Sequence, residues 1–183
     1  MRATGLILGA TLLLAACGGG AGQATSTPAT VAGNTAAAST VTFTADMTAG
    51  NEVPAITDAE KTGSGKATIT FDVKRDAAGK ATSATVSIKA TLTGFPTTTE
   101  ITLAHIHGPA APGVNAGVVV PFKTDANAPI ALTTGGTTFT KDGVVLDKAD
   151  VLQQILDDPG KFYVNFHSKL HPGGVIRGPL TKT

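Results

Sequence analysis

The stretch KATITFDV, residues 66–73, places an apolar side chain at every second position. Ala67, Ile69, Phe71 and Val73 fall on one face, and Lys66, Thr68, Thr70 and Asp72 on the other. A period of two marks a strand with one side buried. The same spacing recurs on either side. VTFTADM, residues 41–47, sets Val41, Phe43, Ala45 and Met47 against Thr42, Thr44 and Asp46. TVSIKATL, residues 85–92, sets Val86, Ile88, Ala90 and Leu92 against Thr85, Ser87, Lys89 and Thr91. Threonine and valine suit a half-buried pleated surface. RDAAGK, residues 75–80, contains Gly79 and reads as a hairpin connection. Further strands are expected at 101–107, 117–122, 161–167 and 175–180. DKADVLQQILDDPG, residues 147–160, reads as one helix. Asp147 is its candidate N-cap, Val151, Leu152, Ile155 and Leu156 share a face, and Pro159-Gly160 stops it. Seven or eight short strands and one short helix predict an all-β fold, an antiparallel β-sandwich or barrel.

The N-terminal residues stand apart from this pattern. Arg2 precedes an apolar run, GLILGATLLLAAC, that is shorter than the about 20 residues needed to cross a bilayer. It suits the h-region of a secretory signal. The run ends in Leu14-Ala15-Ala16-Cys17, which resembles a bacterial lipobox. That resemblance implies cleavage after residue 16 and a diacylglyceryl group on the Cys17 thiol. In the same class, a residue other than Asp after the cysteine goes with the outer membrane of Gram-negative cells, and here it is Gly18. Cys17 is the only cysteine, so no internal disulfide is possible and the core must hold the exported domain. Residues 17–39 are small and uncharged, as a flexible tether would be. A coil of this length spans roughly 23–28 Å. Residues 40–183 remain for one domain, long enough for a core. The expectation is an exported cell-envelope protein, held to a membrane by lipid on Cys17.

Composition narrows the partners. The formal net charge is +1, and no basic cluster occurs, so nucleic-acid binding has no electrostatic footprint. One tyrosine and no tryptophan argue against stacking on sugars or bases as a main task.

All four histidines lie in two stretches, LAHIHGPAAPG at 103–113 and FYVNFHSKLHPGGVIRG at 162–178. On a strand, His105 and His107 share one face and Ile106 takes the other. Tyr163, Asn165 and His167 likewise share a face, opposite Val164 and Phe166. If the two strands are neighbours, three imidazoles meet on a polar face, although Leu103 shares it. His171, in a Pro-Gly-Gly loop, is within reach as a fourth. Imidazole suits copper and zinc. Protons would compete for such ligands as pH falls through about 6.5. The other use of the same rings is structural, as hydrogen-bonding ties between strands and loops.

NEVPA at 51–55, AHIHGPAAPGVNAGVVV at 104–120 and FYVNFHSKLHPGGVIRGPL at 162–180 resemble, in that order, the motifs of the CHRD domain family. This domain occurs in chordin and in bacterial exported proteins. The likeness covers about residues 40–181. Ala55 and Pro179 depart from the family pattern, which usually has a second proline and a glutamine there. The resemblance implies an immunoglobulin-like sandwich; in chordin such domains belong to a secreted binder of growth factors. His105 to Gly108 is also similar to the His-x-His strand of copper/zinc superoxide dismutases, without their zinc constellation or disulfide. That second likeness concerns a superoxide-dismutase-like sandwich and its site geometry, not the activity.

Glu52 and Arg177 both sit in the CHRD motifs. They read as a structural ion pair linking the first strand to the last, with a ligand-binding pair as the alternative. No Ser-His-Asp order or nucleophile elbow is present, which argues against an enzyme. The expected function is a non-catalytic binding module with a protein or matrix partner. The alternative is a copper- or zinc-binding envelope protein that uses His105, His107, His167 and His171.

Overall fold

In the computed structural model, which describes residues 38–183, the alternating segments pair into one antiparallel sheet. Its strands are β1 (Ser39–Thr48), β2 (Ser64–Arg75), β3 (Ala81–Thr93), β4 (Glu100–His107), β5 (Val118–Lys123), β6 (Ile130–Ala131), β7 (Thr137–Leu146), β8 (Tyr163–Ser168), β9 (Ile176–Pro179) and β10 (Thr181–Lys182). Helix α1 (Ala149–Asp157) joins β7 to β8. The expected signal peptide and the lipidation of Cys17 lie outside the described residues. So does the expected tether, except at its end, where Ser39 already belongs to β1. Among the described residues, no helix is long and apolar enough to cross a membrane.

The strand order is β5-β4-β8-β9-β1-β2-β3-β7, with β6 added to β4 and β10 to β1. The two ends of this path, β5 and β7, lie against each other, so the sheet wraps into a nearly closed, barrel-like sandwich. Phe139 of β7 and Phe166 of β8 meet edge to face across the interior, with ring centroids 5.4 Å apart. Around them are buried Phe43, Ile69, Phe71, Val86, Ile88, Ile106 and Val164. These are the inward positions that the alternation assigns. The all-β fold with one short helix is therefore as the sequence predicts.

Local chemistry explains the pairing. Between β2 and β3, the Asp76 carboxylate accepts the amides of Ala78 and Lys80, and Gly79 takes φ +80°, which a Cβ would oppose. That turn fixes the register in which Ile69 faces Ile88 and Phe71 faces Val86.

Two expectations need correction. β7 has no counterpart in the alternation pattern, because its two halves are out of step around Asp142-Gly143, where the pairing with β3 shifts. Helix α1 starts at Ala149, with Lys148 at the N-cap position and no side-chain cap. Asp147 is one residue too early to serve. The helix is held instead by burial of Leu152 and Ile155 against β3.

Candidate metal centre

β8 lies between β4 and β9, and its register decides what meets on each face. Leu103 faces His167, His105 faces Asn165, and His107 faces Tyr163. On the other side, Asn165 faces Arg177. One face of the three strands thus carries His105, His107, Tyr163, Asn165, His167 and Arg177. The opposite face carries Ala104, Ile106, Val164, Phe166 and Ile176, all in the core. Three connections roof the polar face. They bring in Glu52 after β1, Asn115 and Ala116 between β4 and β5, and Pro172 between β8 and β9.

Under this roof the rings of His105, His107 and His167 converge. His105 and His167 are buried, and His107 is half-buried. His105 Nδ1 lies 3.1 Å from His167 Nε2. One nitrogen from each of the three rings lies within 4.8 Å of the others. An ion with bonds of ~2.0–2.1 Å would hold such nitrogens about 3.3–3.6 Å apart, a distance that small ring rotations reach.

Hydrogen bonds fix the tautomers. A carbonyl only accepts, so His107 Nδ1–H donates to Ala116 O at 2.9 Å and His167 Nδ1–H donates to Pro172 O at 2.8 Å. Each ring then presents its Nε2 lone pair inward when neutral. His107 Nε2 is buried and has no hydrogen-bond partner among the described residues. His167 Nε2 accepts from His105 Nδ1–H, a proton that His105 must move or lose for an ion to enter. A backbone carbonyl on the distal nitrogen is the usual way a ligating imidazole is oriented.

The electrostatics keep the rings uncharged. Burial pushes His105 down to about 4, with the neighbouring His167 and His107 adding to the effect. Burial also lowers His107 and His167, against the opposing pull of their carbonyl hydrogen bonds. Protons therefore compete for the site at lower pH than the 6.5 expected from free histidine.

A polar network backs the rings. Tyr163 stacks on His107, with centroids 5.2 Å apart and planes 5° from parallel. Its hydroxyl accepts the Ala116 amide, which steadies the carbonyl that His107 uses. The Arg177 guanidinium lies 4.8 Å from the Tyr163 centroid. Arg177 Nε donates to Glu52 at 3.0 Å, and Nη2 donates to Asn115 at 2.7 Å. Asn165 donates to the second Glu52 oxygen at 2.6 Å. Burial raises the Glu52 carboxyl above its ordinary value, outweighing the attraction of Arg177. Gly174 is required where it is, since a Cβ there would strike Glu52 and the Asn165 amide.

Of the four candidate ligands, the structure brings His105, His107 and His167 together and sets the His171 ring elsewhere. Its Nε2 lies 2.9 Å from Asp58 and 3.8 Å from Glu60. The turn after β8 directs the Pro172 carbonyl, not the His171 ring, toward His167. Glu52 and Arg177 meet as an ion pair, joining the connection after β1 to β9. The sequence alone assigns no role to Asn115, Ala116, Asp58 or Glu60. Tyr163 and Asn165 were visible on the right face by strand parity alone.

No curated protein and no solved structure matches the chain. The model of the CHRD domain matches residues 43–180, from the middle of β1 to the residue after β9. That span includes every residue of the histidine centre and its roof, and over it the chain belongs to the CHRD domain family.

Proposed function

We propose that this CHRD domain is a non-catalytic binding module of the cell envelope, anchored by lipid on Cys17, and that it binds a copper or zinc ion through His105, His107 and His167. The observation that carries the metal reading is the buried, unpartnered Nε2 of His107. A buried acceptor without a donor is costly, about 1–3 kcal/mol. A cation at the meeting point of the three rings would remove that cost. The donor set fits as well, being all imidazole and held neutral by burial. When bound, the ion supplies a charged, ligand-accepting point. The chain orients the rings through Ala116 and Pro172 and excludes water with the roof.

Isothermal titration with Cu and Zn, on protein purified without nickel resin, tests this. One ion per chain is expected, and His107→Ala and His167→Ala should each weaken it severely. If nothing binds tighter than about 1 mM, roughly −4 kcal/mol, the histidines are ties between strands and roof and the metal reading fails. The anchor rests on the lipobox-like residues 14–17. Mass spectrometry of the native membrane fraction should find Cys17 as a lipidated N-terminus, and an intact Met1 would refute it.

A further inference from the structure

We propose that Asp58, Glu60, Ser168 and His171 form a clasp that aims His167, so that they are positioning residues of the metal centre and not ligands. The inference rests on the metal reading above. His167 Nδ1–H donates to the carbonyl of Pro172 at 2.8 Å. That carbonyl belongs to the turn between β8 and β9, and the turn is closed on His171. The amides of Ser168 and Gly174 both donate to His171 O, at 3.2 and 3.1 Å, and the His171 amide donates to Ser168 Oγ at 3.0 Å.

The turn does not stand alone. Ser168 Oγ–H donates to Glu60 Oε2 at 2.5 Å, and Thr99 Oγ1–H donates to Glu60 Oε1 at 2.7 Å. Glu60 is buried. Among the described residues no lysine or arginine pairs with it, and the nearest basic group is the His171 ring at 3.8 Å. The same ring lies 2.9 Å from Asp58, whose other oxygen accepts the Glu60 amide at 3.0 Å. Two chain segments, around residues 58–60 and 168–174, are thus held against each other by the Ser168–Glu60 hydrogen bond, with the His171 ring set beside the Asp58 carboxylate. A buried carboxylate with both oxygens committed is an expensive way to close a surface turn. It is a reasonable way to hold one carbonyl at the hydrogen-bonding distance that sets a ligand's tautomer. The group bonded directly to a ligating histidine, here the Pro172 carbonyl that the clasp holds, typically alters metal affinity 10–100-fold when lost or displaced.

The test uses the full chain and the variants Asp58→Asn, Ser168→Ala and His171→Ala, each assayed at one neutral pH. Asp58 and the His171 ring are partly exposed, so the first and third leave the core alone; circular dichroism checks that each variant folds. Asp58→Asn and Ser168→Ala keep all four imidazoles. The first readout is the long-range nitrogen–proton NMR pattern of His167 without metal. Wild type should show the Nδ1–H form, and the variants should gain the Nε2–H form, while His107 stays unchanged. The second readout is zinc titration, expected to be 10–100-fold weaker in all three variants. Unchanged His167 tautomer and zinc affinity within twofold in Asp58→Asn and Ser168→Ala would overturn the clasp. So would a loss confined to His171→Ala, which would make His171 a ligand. If wild type binds no zinc, the metal reading falls, and the tautomer pattern by itself still supports or overturns the clasp.

Discussion

Removing the Glu52 carboxylate should expose how the roof is held. Glu52 and Arg177 have side chains only 3% and 7% exposed, and they are joined at 3.0 Å. The Glu52→Ala change leaves Arg177 Nε and the Asn165 amide facing a buried space without their acceptor. Breaking one side of a buried pair costs about 3–5 kcal/mol, chiefly because the surviving charge is stranded. A domain stability of about 5–15 kcal/mol makes that a large fraction of the total. The pair itself is not the source of this figure. Burial raises the Glu52 carboxyl in spite of Arg177, which means that its ionised form is less comfortable in the fold than in water. Removing both partners should therefore cost much less than the sum of the single changes. Urea unfolding of Glu52→Ala, Arg177→Met and the double variant forms a complete cycle, with unchanged m-values as the check on two-state behaviour. The expected coupling is about 2 kcal/mol or more in favour of the double variant. A Glu52→Ala loss below about 1 kcal/mol, the range of surface substitutions, would show that water reaches Arg177 and that the roof is open.

Phe71→Ala should cost about 3–5 kcal/mol in the same assay, since Phe71 is fully buried and packs edge to face on Phe43 at 5.4 Å; a loss below about 1 kcal/mol would remove it from the core. Acid should also destabilise the domain. The folded-state values of His105, His107 and His167 are lowered, so below pH 6.5 the unfolded chain takes up protons that the folded chain refuses, and stability falls as pH drops from 6.5 toward about 4. Glu52, held high, works the other way in the acid part of that window and reduces the slope there. The His105 share is on the order of 2 kcal/mol after allowance for solvent screening. His105→Asn should flatten the profile, and a wild-type profile already flat between 6.5 and 4.5 would refute the buried-neutral assignment.

Strand parity made the polar face legible in advance. A period of two puts His105 with His107 and Tyr163 with Asn165 and His167 whatever else the chain does. It could not supply the register between β4 and β8, which sets His105 opposite Asn165 and makes His167 its diagonal neighbour. The roof was illegible for a different reason. Ala116 and Pro172 act through backbone carbonyls, which no side-chain pattern encodes. Glu60 lies in TDAEKTG, a polar run that reads as a solvated loop, yet it is buried because Thr99, just before β4, and Ser168, at the end of β8, reach it from distant parts of the chain. β7 is not legible in the sequence because only Phe139 and Leu146 of its ten residues are buried, too few to set a period across the Gly143 break. His171 looked like a ligand by proximity in sequence, but Asp58, 113 residues earlier, claims its ring.

The tyrosine lying flat on His107 also makes the protein its own optical reporter. Tyr163 is the only tyrosine, and there is no tryptophan to mask its emission. Its ring stacks on His107, and the Arg177 guanidinium lies near the same ring. Any event that charges, rotates or metallates the His107 imidazole changes the surroundings of the single intrinsic fluorophore. A paramagnetic copper ion held by that ring would quench it through a contact one aromatic layer thick, whereas zinc, closed-shell, would shift the emission and leave most of the light. The occupancy and the identity of an ion in the centre can thus be read from the unlabelled chain in a cuvette.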